Sequence, residues 1–143
     1  MTEPNPSKDR TTVFFDGACP LCRAEIRFYE SRDAEGAFSF VDVSRPDAGL
    51  PDTLGRDEAL ARFHVLSPDG RLLGGAAAFA EVWRRTPGWR WAWRLSTLPG
   101  VMVLLETGYR LFLRFRPAIV RLFVVTQRVR RAPRAPSRNG PRP

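Results

Sequence analysis

Short apolar runs alternate with helix-like segments near the start of the chain. Residues 11–16 (TTVFFD) are mostly β-branched and aromatic, which predicts a strand buried on both faces. Residues 20–32 have an imperfect apolar face, and Pro20 suits a first helical turn because its missing N–H would have no partner there. Residues 38–43 (FSFVDV) alternate with period two and predict a second strand. Strand, helix and strand within roughly 30 residues indicate a βαβ unit with parallel strands.

The following segments predict a hairpin and a second helix. Residues 44–56 are rich in Pro, Gly and Asp and predict a loop, and residues 58–62 predict a brief helical turn. Residues 63–66 and 71–73 predict two strands, since the Asp-Gly pair between them is a strong hairpin-turn signal. Residues 76–85 space their apolar side chains so that a helix would face a sheet. The order βαβ followed by ββα predicts a thioredoxin-like α/β fold, a four-stranded mixed sheet with flanking helices.

The C-terminal part predicts a helical extension and a tail. Residues 98–125 indicate one helix, or two helices broken near Pro117, because proline removes a helical hydrogen bond. The segment QRVRRAPRAPSRNGPRP is basic and Pro-rich, which predicts disorder. The predicted organisation is a disordered N-terminal tail (1–10), a thioredoxin-like core (11–97), a helical extension packed on the core (98–126) and a basic disordered tail (127–143).

Composition fits one folded domain. The chain has 143 residues, of which 43% are hydrophobic and 27% charged, enough to build a core. Neither an apolar run of about 18 residues nor the apolar centre of a signal peptide is visible. We therefore expect a cytoplasmic protein. Thiols are kept reduced there, so a cysteine pair is expected to be catalytic or metal-binding rather than a structural disulfide.

Charge is distributed unevenly along the chain. Residues 1–83 carry nine basic and 14 acidic residues, whereas residues 84–143 carry 14 arginines and one acid, Glu106. Such asymmetry is typical of proteins that contact nucleic acid, an anionic membrane surface or an acidic partner. However, 22 of the 23 basic residues are arginine, a bias that genome composition can produce. We therefore expect no nucleic-acid partner and keep peripheral membrane contact open.

The only two cysteines, Cys19 and Cys22, lie at the predicted start of the first helix. The thiolate is the nucleophile, and a helix N-terminus lowers a cysteine pKa from about 8.5 toward roughly 3.5–7.5. Three-residue spacing places both sulfurs on one side of the first turn, where a disulfide can close. We predict that Cys19 attacks, and that Cys22 resolves the mixed disulfide and releases the reduced substrate.

Three residues around the pair are further candidates. Asp16 could accept or relay the proton of Cys22 or set the potential of the pair, which would make it catalytic. Alternatively, it hydrogen-bonds the turn, as Asp before Gly often does, and its charge would raise a nearby thiol pKa. Both interpretations stay open. Gly17 and Pro20, on either side of Cys19, are candidate substrate-binding residues.

Other chemistries fit the cysteines less well. Structural zinc usually has four Cys or His ligands, and the chain has two cysteines and one histidine, His64. His64 falls in a predicted strand, where a packed or hydrogen-bonded histidine is the commoner outcome. A cysteine-protease site would leave the second cysteine unexplained. We therefore expect neither a metal nor a cofactor.

Three segments resemble the DCC family of thiol-disulfide oxidoreductases. DGACPLC resembles the D-G-x-C-x-x-C signature, with Asp16, Cys19 and Cys22 on its named positions. FHVLSPDGRLLGGAAAFAEVW and LETGYRLFLRFR resemble the family's strand–DG–strand–G-x-x-A-F–W block and its closing Y-x-x-F-x-R-x-R segment, for a total span of about residues 12–116. The resemblance implies a thioredoxin-like fold and a redox-active dithiol. Its partners would be protein or small-molecule thiols and disulfides and an unidentified electron donor.

One departure from ordinary thioredoxins concerns the substrate surface. Those proteins carry a cis-proline just before the third strand, facing the cysteine pair. Here the residues before Phe63 are EALAR. We therefore expect the substrate-binding surface to be built differently.

The arginines and tryptophans of the C-terminal half allow a second hypothesis. We expect the aromatic residues to cover the sheet of a small domain, with arginines extending outward. Alternatively, the chain is a non-catalytic thioredoxin-like module whose basic aromatic C-terminus docks to a membrane surface or a protein partner. The tryptophans concerned are Trp83, Trp89, Trp91 and Trp93.

Overall fold

The computed structural model describes residues 9–131. Residues 1–8 of the predicted N-terminal tail and residues 132–143 of the predicted C-terminal tail lie outside the described residues. The elements are β1 (Thr11–Phe15), α1 (Pro20–Glu30), β2 (Phe38–Asp42), α2 (Arg56–Ala61), β3 (His64–Leu66), β4 (Leu72–Gly74), α3 (Ala76–Arg85), α4 (Arg90–Ser96) and α5 (Val101–Arg131).

The strands form one mixed sheet in the order β2-β1-β3-β4. β1 pairs in parallel with β2 and antiparallel with β3, and β3 pairs antiparallel with β4. In this register Val13 lies between Phe40 and Val65. With its flanking helices and C-terminal helix, this is a thioredoxin-like α/β fold, and the fold predicted from the order of elements is confirmed.

Burial explains why the central strand β1 forms. Val13 is fully buried and packs with Ile26 of α1 and Val82 of α3. Phe14, on the other face of the strand, is 2% exposed and packs with Ala59 of α2 and Leu54 of the preceding loop. β1 is therefore buried on both faces, as predicted, and its C-terminal end leads into the turn that carries the cysteines.

The helices after Pro87 differ in extent from the prediction. α4 forms over Arg90–Ser96, where the sequence predicted no element. α5 is a single helix with Pro117 inside it, and it continues to Arg131. The tail predicted to begin at residue 127 is therefore helical as far as residue 131. The physical reason is that residues 118–131 contain neither Gly nor Pro, so no residue there stops the helix.

α5 packs against α1, α3 and α4. Near its start, the Glu106 carboxylate accepts hydrogen bonds from Arg62 Nη2 at 2.6 Å and from the Ala76 N–H at 3.0 Å. Tyr109 Oη accepts the Phe63 N–H at 2.8 Å. These bonds hold α5 to the start of α3 and to the segment before β3. Within residues 9–131, no helix combines the length and apolarity needed to cross a bilayer.

The tryptophans pack mainly around α1, α3 and α4. Trp89 stacks between Trp83 and Trp91, with ring centroids 6.3 and 6.0 Å away. Its ring also meets the Phe28 ring of α1 edge-on at 5.6 Å. Trp91 at the outer end of this stack is 63% exposed.

Candidate active site

The turn after β1 is shaped by two carboxylates. Asp16 Oδ1 accepts the Ala18 N–H at 3.0 Å, and Asp42 Oδ1 at the end of β2 accepts the Gly17 N–H at 2.9 Å. A Cβ on Gly17 would collide with the Asp42 carboxylate. Glycine is therefore required here by close approach, and the turn delivers the chain directly to Cys19.

Cys19 is the N-cap residue of α1. Its backbone is extended, Pro20 occupies the first helical turn, and its sulfur accepts the Cys22 N–H at 3.4 Å. A sulfur in this position accepts one of the N–H groups that the first helical turn leaves without a partner in the helix. Cys19 is 7% exposed and Cys22 is half-buried, and both are free thiols.

Arg116 of α5 reaches the cysteine turn from nearly a hundred residues away. Its Nη2 lies 3.2 Å from Asp16 Oδ2 and donates to Cys22 Sγ at 3.3 Å, and its Nη1 donates to the Leu60 carbonyl at 3.4 Å. The Arg116 and Asp16 side chains are only 20% and 21% exposed. The guanidinium therefore joins the acid of the turn to the cysteine pair.

The two cysteines have pKa shifts of opposite direction. Burial raises the pKa of Cys19, but hydrogen bonds from Cys22 and the hydrogen bond and charge of Arg116 outweigh it, and the net shift is downward. Burial raises the pKa of Cys22 to about 12, helped by the hydrogen bond between the thiols and opposed by the Arg116 charge. Thus Cys19 is favoured as the thiolate and Cys22 as the thiol, a difference that supports the roles predicted for them.

Asp16 makes the turn hydrogen bond that one of its two interpretations predicted. Its other oxygen faces Arg116, which also contacts Cys22. A proton relay from Cys22 to Asp16 stays a hypothesis, since the guanidinium lies between them as a shared partner.

Cys22 lines a small apolar cavity of about 60 Å³ between the sheet, α1, α3 and α5. Phe63, Phe79 and Tyr109 line it, and so does Glu25, whose pKa is raised by burial in spite of its hydrogen bond from Tyr29. This volume is far below the roughly 300 Å³ of a small-molecule site. The cavity thus provides an apolar environment for Cys22 rather than space for a substrate.

The predicted substrate-binding residues differ in their surroundings. The Gly17 N–H is already bound to Asp42. Pro20 lines an open groove between α1 and the end of α5. Their roles in substrate binding stay predictions.

The segment before β3 contains no proline. Arg62 and Phe63 occupy it, and no peptide bond within residues 9–131 is cis. The Phe63 N–H is bound by Tyr109, and this backbone donor therefore has a partner inside the protein. The expectation of a differently built substrate surface stays open, but α5 clearly contributes to this side of the site.

His64 is a packed histidine, as expected. It is 4% exposed, its Nδ1 lies 2.9 Å from the Arg62 carbonyl, and its Nε2 lies 3.7 Å from Glu58 Oε1. In the part of the chain that the structure describes, no group of three or more His, Cys, Asp or Glu side chains is placed to hold a metal ion.

Arg116 is the residue that sequence reasoning missed. The available signal was its position as the last residue of LETGYRLFLRFR, the segment that resembles a closing family motif.

Comparisons with known proteins identify the family of this chain. A family model described as DCC1-like thiol-disulfide oxidoreductase matches residues 13–122, a span that contains both cysteines and Arg116. An uncharacterized chloroplastic protein of Arabidopsis thaliana is 26% identical over 117 residues, which cover 80% of this chain and 54% of that protein. The chain thus spans about half the length of this curated relative. No solved structure matches the chain.

Proposed function

Because the chain belongs to the DCC1-like thiol-disulfide oxidoreductase family, we propose that it catalyses thiol-disulfide exchange with Cys19 as the attacking thiolate and Cys22 as the resolving thiol. The observation that carries the proposal is the free cysteine pair at the start of α1. The pKa of Cys19 is lowered and that of Cys22 is raised, and Arg116 contacts the Cys22 sulfur. The family implies thiol or disulfide substrates. We propose the cytoplasm as the compartment, since a reduced pair persists there.

In the first step, the Cys19 thiolate attacks one sulfur of a substrate disulfide. The substrate S–S bond breaks, a Cys19–substrate disulfide forms, and the other half of the substrate leaves as a thiolate. The Cys22 N–H of the first helical turn and the charge of Arg116 stabilise the attacking thiolate before the reaction.

In the second step, Cys22 attacks Cys19 Sγ. Once Cys19 is in the mixed disulfide it carries no charge, so its contributions to the high pKa of Cys22 disappear while the attraction of Arg116 persists. Cys22 then loses its proton more readily. The Cys19–Cys22 disulfide forms, the second substrate half leaves and takes up that proton, and two electrons have passed from the pair to the substrate. A thiol electron donor restores the dithiol.

Trapping distinguishes the two cysteines. With a disulfide substrate, Cys22→Ser is expected to accumulate a mixed disulfide through Cys19, whereas Cys19→Ser is not, and both variants should lose turnover. Non-reducing mass spectrometry detects the adduct, and circular dichroism checks folding. Trapping by Cys19→Ser instead would reverse the roles. Equal turnover by the wild type and both variants would exclude the enzymatic function.

A second candidate function is docking on an anionic membrane surface, and the exposed face of α5 favours it. Five apolar side chains at spacings of four and seven share one side of the helix, each between 53% and 71% exposed. Exposed arginines at the same spacings follow a neighbouring line, which suits anionic headgroups. The apolar residues are Leu104, Leu111, Phe115, Leu122 and Val129, and the arginines are Arg110, Arg114 and Arg121.

Vesicle sedimentation tests this docking. The full chain should sediment with phosphatidylserine-containing vesicles at low salt and much less with phosphatidylcholine alone. Leu111→Ser with Leu122→Ser should reduce sedimentation, and the control Leu98→Ser with Val103→Ser, which changes exposed residues off this line, should not. Absence of sedimentation with the anionic vesicles contradicts the docking and leaves the redox proposal intact.

A further inference from the structure

A basic groove lies between α1 and the last turns of α5, on the side of α1 away from the apolar cavity residues. Its volume is about 380 Å³, within the roughly 300–1,000 Å³ range of small-molecule sites. Four arginines line it, two from each helix, together with apolar side chains that include Pro20 and Phe123. The arginines are Arg23, Arg27, Arg128 and Arg131.

The groove arginines are exposed and have no acidic neighbours in the groove. Among residues 9–131, none of their side chains forms an ion pair or a hydrogen bond, and no acid lines the groove. Other arginines behave differently: Arg84 and Arg85 share Glu81, and Arg62 and Arg110 share Glu106. Four like charges in one groove repel each other, and a bound anion relieves that repulsion.

The groove starts at the helix N-terminus that carries Cys19. Pro20, which lines the groove, directly follows Cys19 in the chain, and Arg23, which also lines it, donates its backbone N–H to the Cys19 carbonyl at 3.0 Å. Only 7% of Cys19 is exposed, which favours a small disulfide over one held on the surface of a folded protein. The apolar wall from Phe123 can contact the aliphatic part of such a molecule.

We propose that this groove binds the carboxylates of a low-molecular-weight disulfide whose sulfur reacts with Cys19. Arginine suits this task because its planar guanidinium donates two parallel hydrogen bonds to a carboxylate. The inference rests on the proposed thiol-disulfide exchange and adds the charge class of its substrate. The bonds formed and broken are those of the exchange itself, so no further reactant is required.

Three disulfides of different charge test the groove. Glutathione disulfide is anionic, hydroxyethyl disulfide is neutral, and cystamine is cationic. At low salt, kcat/KM should fall in that order, and the differences should shrink toward 1 M salt, where charges are screened beyond about 3 Å. Arg23→Gln with Arg128→Gln should lower kcat/KM for glutathione disulfide about tenfold and change it less than about twofold for hydroxyethyl disulfide.

A charge-matched control separates the groove from the overall charge. Arg90→Gln with Arg94→Gln removes the same charge from exposed positions outside the groove and should change kcat/KM for glutathione disulfide less than about twofold. An equal loss of kcat/KM for glutathione disulfide in the two double variants would overturn the proposed binding of the substrate in the groove. Turnover of all three disulfides without charge preference would also overturn it while the exchange function stands. Turnover of none of them would also overturn the groove, and the Cys22→Ser trapping experiment then decides separately whether the exchange function stands.

Discussion

Arg116 joins groups from three parts of the chain: the acid of the turn after β1, the sulfur of α1 and the last carbonyl but one of α2. Its charge favours the Cys19 thiolate against the burial that opposes it. Gly17 has a different role, because its missing side chain lets the Asp42 carboxylate bind the turn. At this scale Arg116 lowers the pKa of Cys19, and Gly17 allows the backbone of the turn to approach the Asp42 carboxylate.

Replacing Arg116 should change the pH dependence of Cys19. In Arg116→Gln the lost positive charge and hydrogen bond should raise the pKa of Cys19, so less thiolate is present at pH 7 and alkylation by iodoacetamide slows about fivefold. The pH profile of the alkylation rate should shift to higher pH in Arg116→Gln. Arg116→Lys keeps the positive charge and should show a smaller shift. Arg114→Gln, an exposed change on the same helix, serves as the control. An unchanged profile in Arg116→Gln contradicts the role.

A methyl group at Gly17 should destabilise the turn. Gly17→Ala places a Cβ against the Asp42 carboxylate, and we expect it to lower the free energy of unfolding by about 2–3 kcal/mol. Urea unfolding with the cysteines reduced measures the loss. Gly49→Ala, in a loop where the new Cβ would have no neighbour within 4 Å, should stay within about 0.5 kcal/mol of the wild type. Equal effects of the two substitutions would contradict the close approach.

At the scale of elements, α1 supplies the N-terminus that holds Cys19 and α5 supplies the side chains that complete the site. α5 is held by Tyr109 at the segment before β3 and by Glu106 at the start of α3. Burial raises the pKa of Glu106, but hydrogen bonds from Ala76, Arg62 and Arg110 outweigh it and lower the pKa overall. The hydrogen bonds of Glu106 that hold α5 to the rest of the protein should therefore weaken when this carboxylate is protonated.

The stability contributed by Glu106 should disappear in acid. Its folded pKa is depressed, so its contribution is present above the unfolded value of about 4.3 and is lost as pH falls through the folded value. Glu106→Gln should lower the free energy of unfolding by about 1–2 kcal/mol at pH 7. The difference from the wild type should narrow as the pH falls below the unfolded pKa and disappear below the depressed folded pKa. Asp52→Asn, at an exposed position, should show no such difference. A difference independent of pH would contradict this role of Glu106.

At the scale of the whole molecule, the cysteine pair and the C-terminal helix are physically connected. Arg116 donates a hydrogen bond to the sulfur of Cys22, and its charge lowers the pKa of Cys19. Oxidation converts both sulfurs to a neutral disulfide and thereby removes a charged partner of this arginine. The state of the pair should therefore affect how firmly α5 is held.

Hydrogen exchange can measure that connection. Amides of α5 near Arg116 should exchange about two- to fivefold faster in the oxidised chain than in the reduced chain, because a charge-assisted contact is lost. In Arg116→Gln the difference between the two redox states should vanish. Equal protection of α5 in both states of the wild type would contradict the connection.

The sequence predicted the elements whose signals are local. The apolar run of β1, the helix over residues 76–85 and the Asp-Gly turn before β4 were found because burial and turn chemistry leave a short-range pattern. α4 was missed because WRWAWRL is rich in aromatic and charged residues without a clear helical apolar face. It forms against α3, where Trp89 stacks on Trp83.

The sequence by itself determined the strand, the tight turn and the helix that present Cys19 and Cys22, since each follows from neighbouring residues. Only the tertiary structure decided that Arg116 lies on the cysteine pair, that Cys22 faces an apolar cavity and that four arginines line one groove. The physical reason is that these features depend on how α5 packs across α1 and α3. Periodicity indicates that a helix has an apolar side, but not which side chains of the remaining protein that helix will meet.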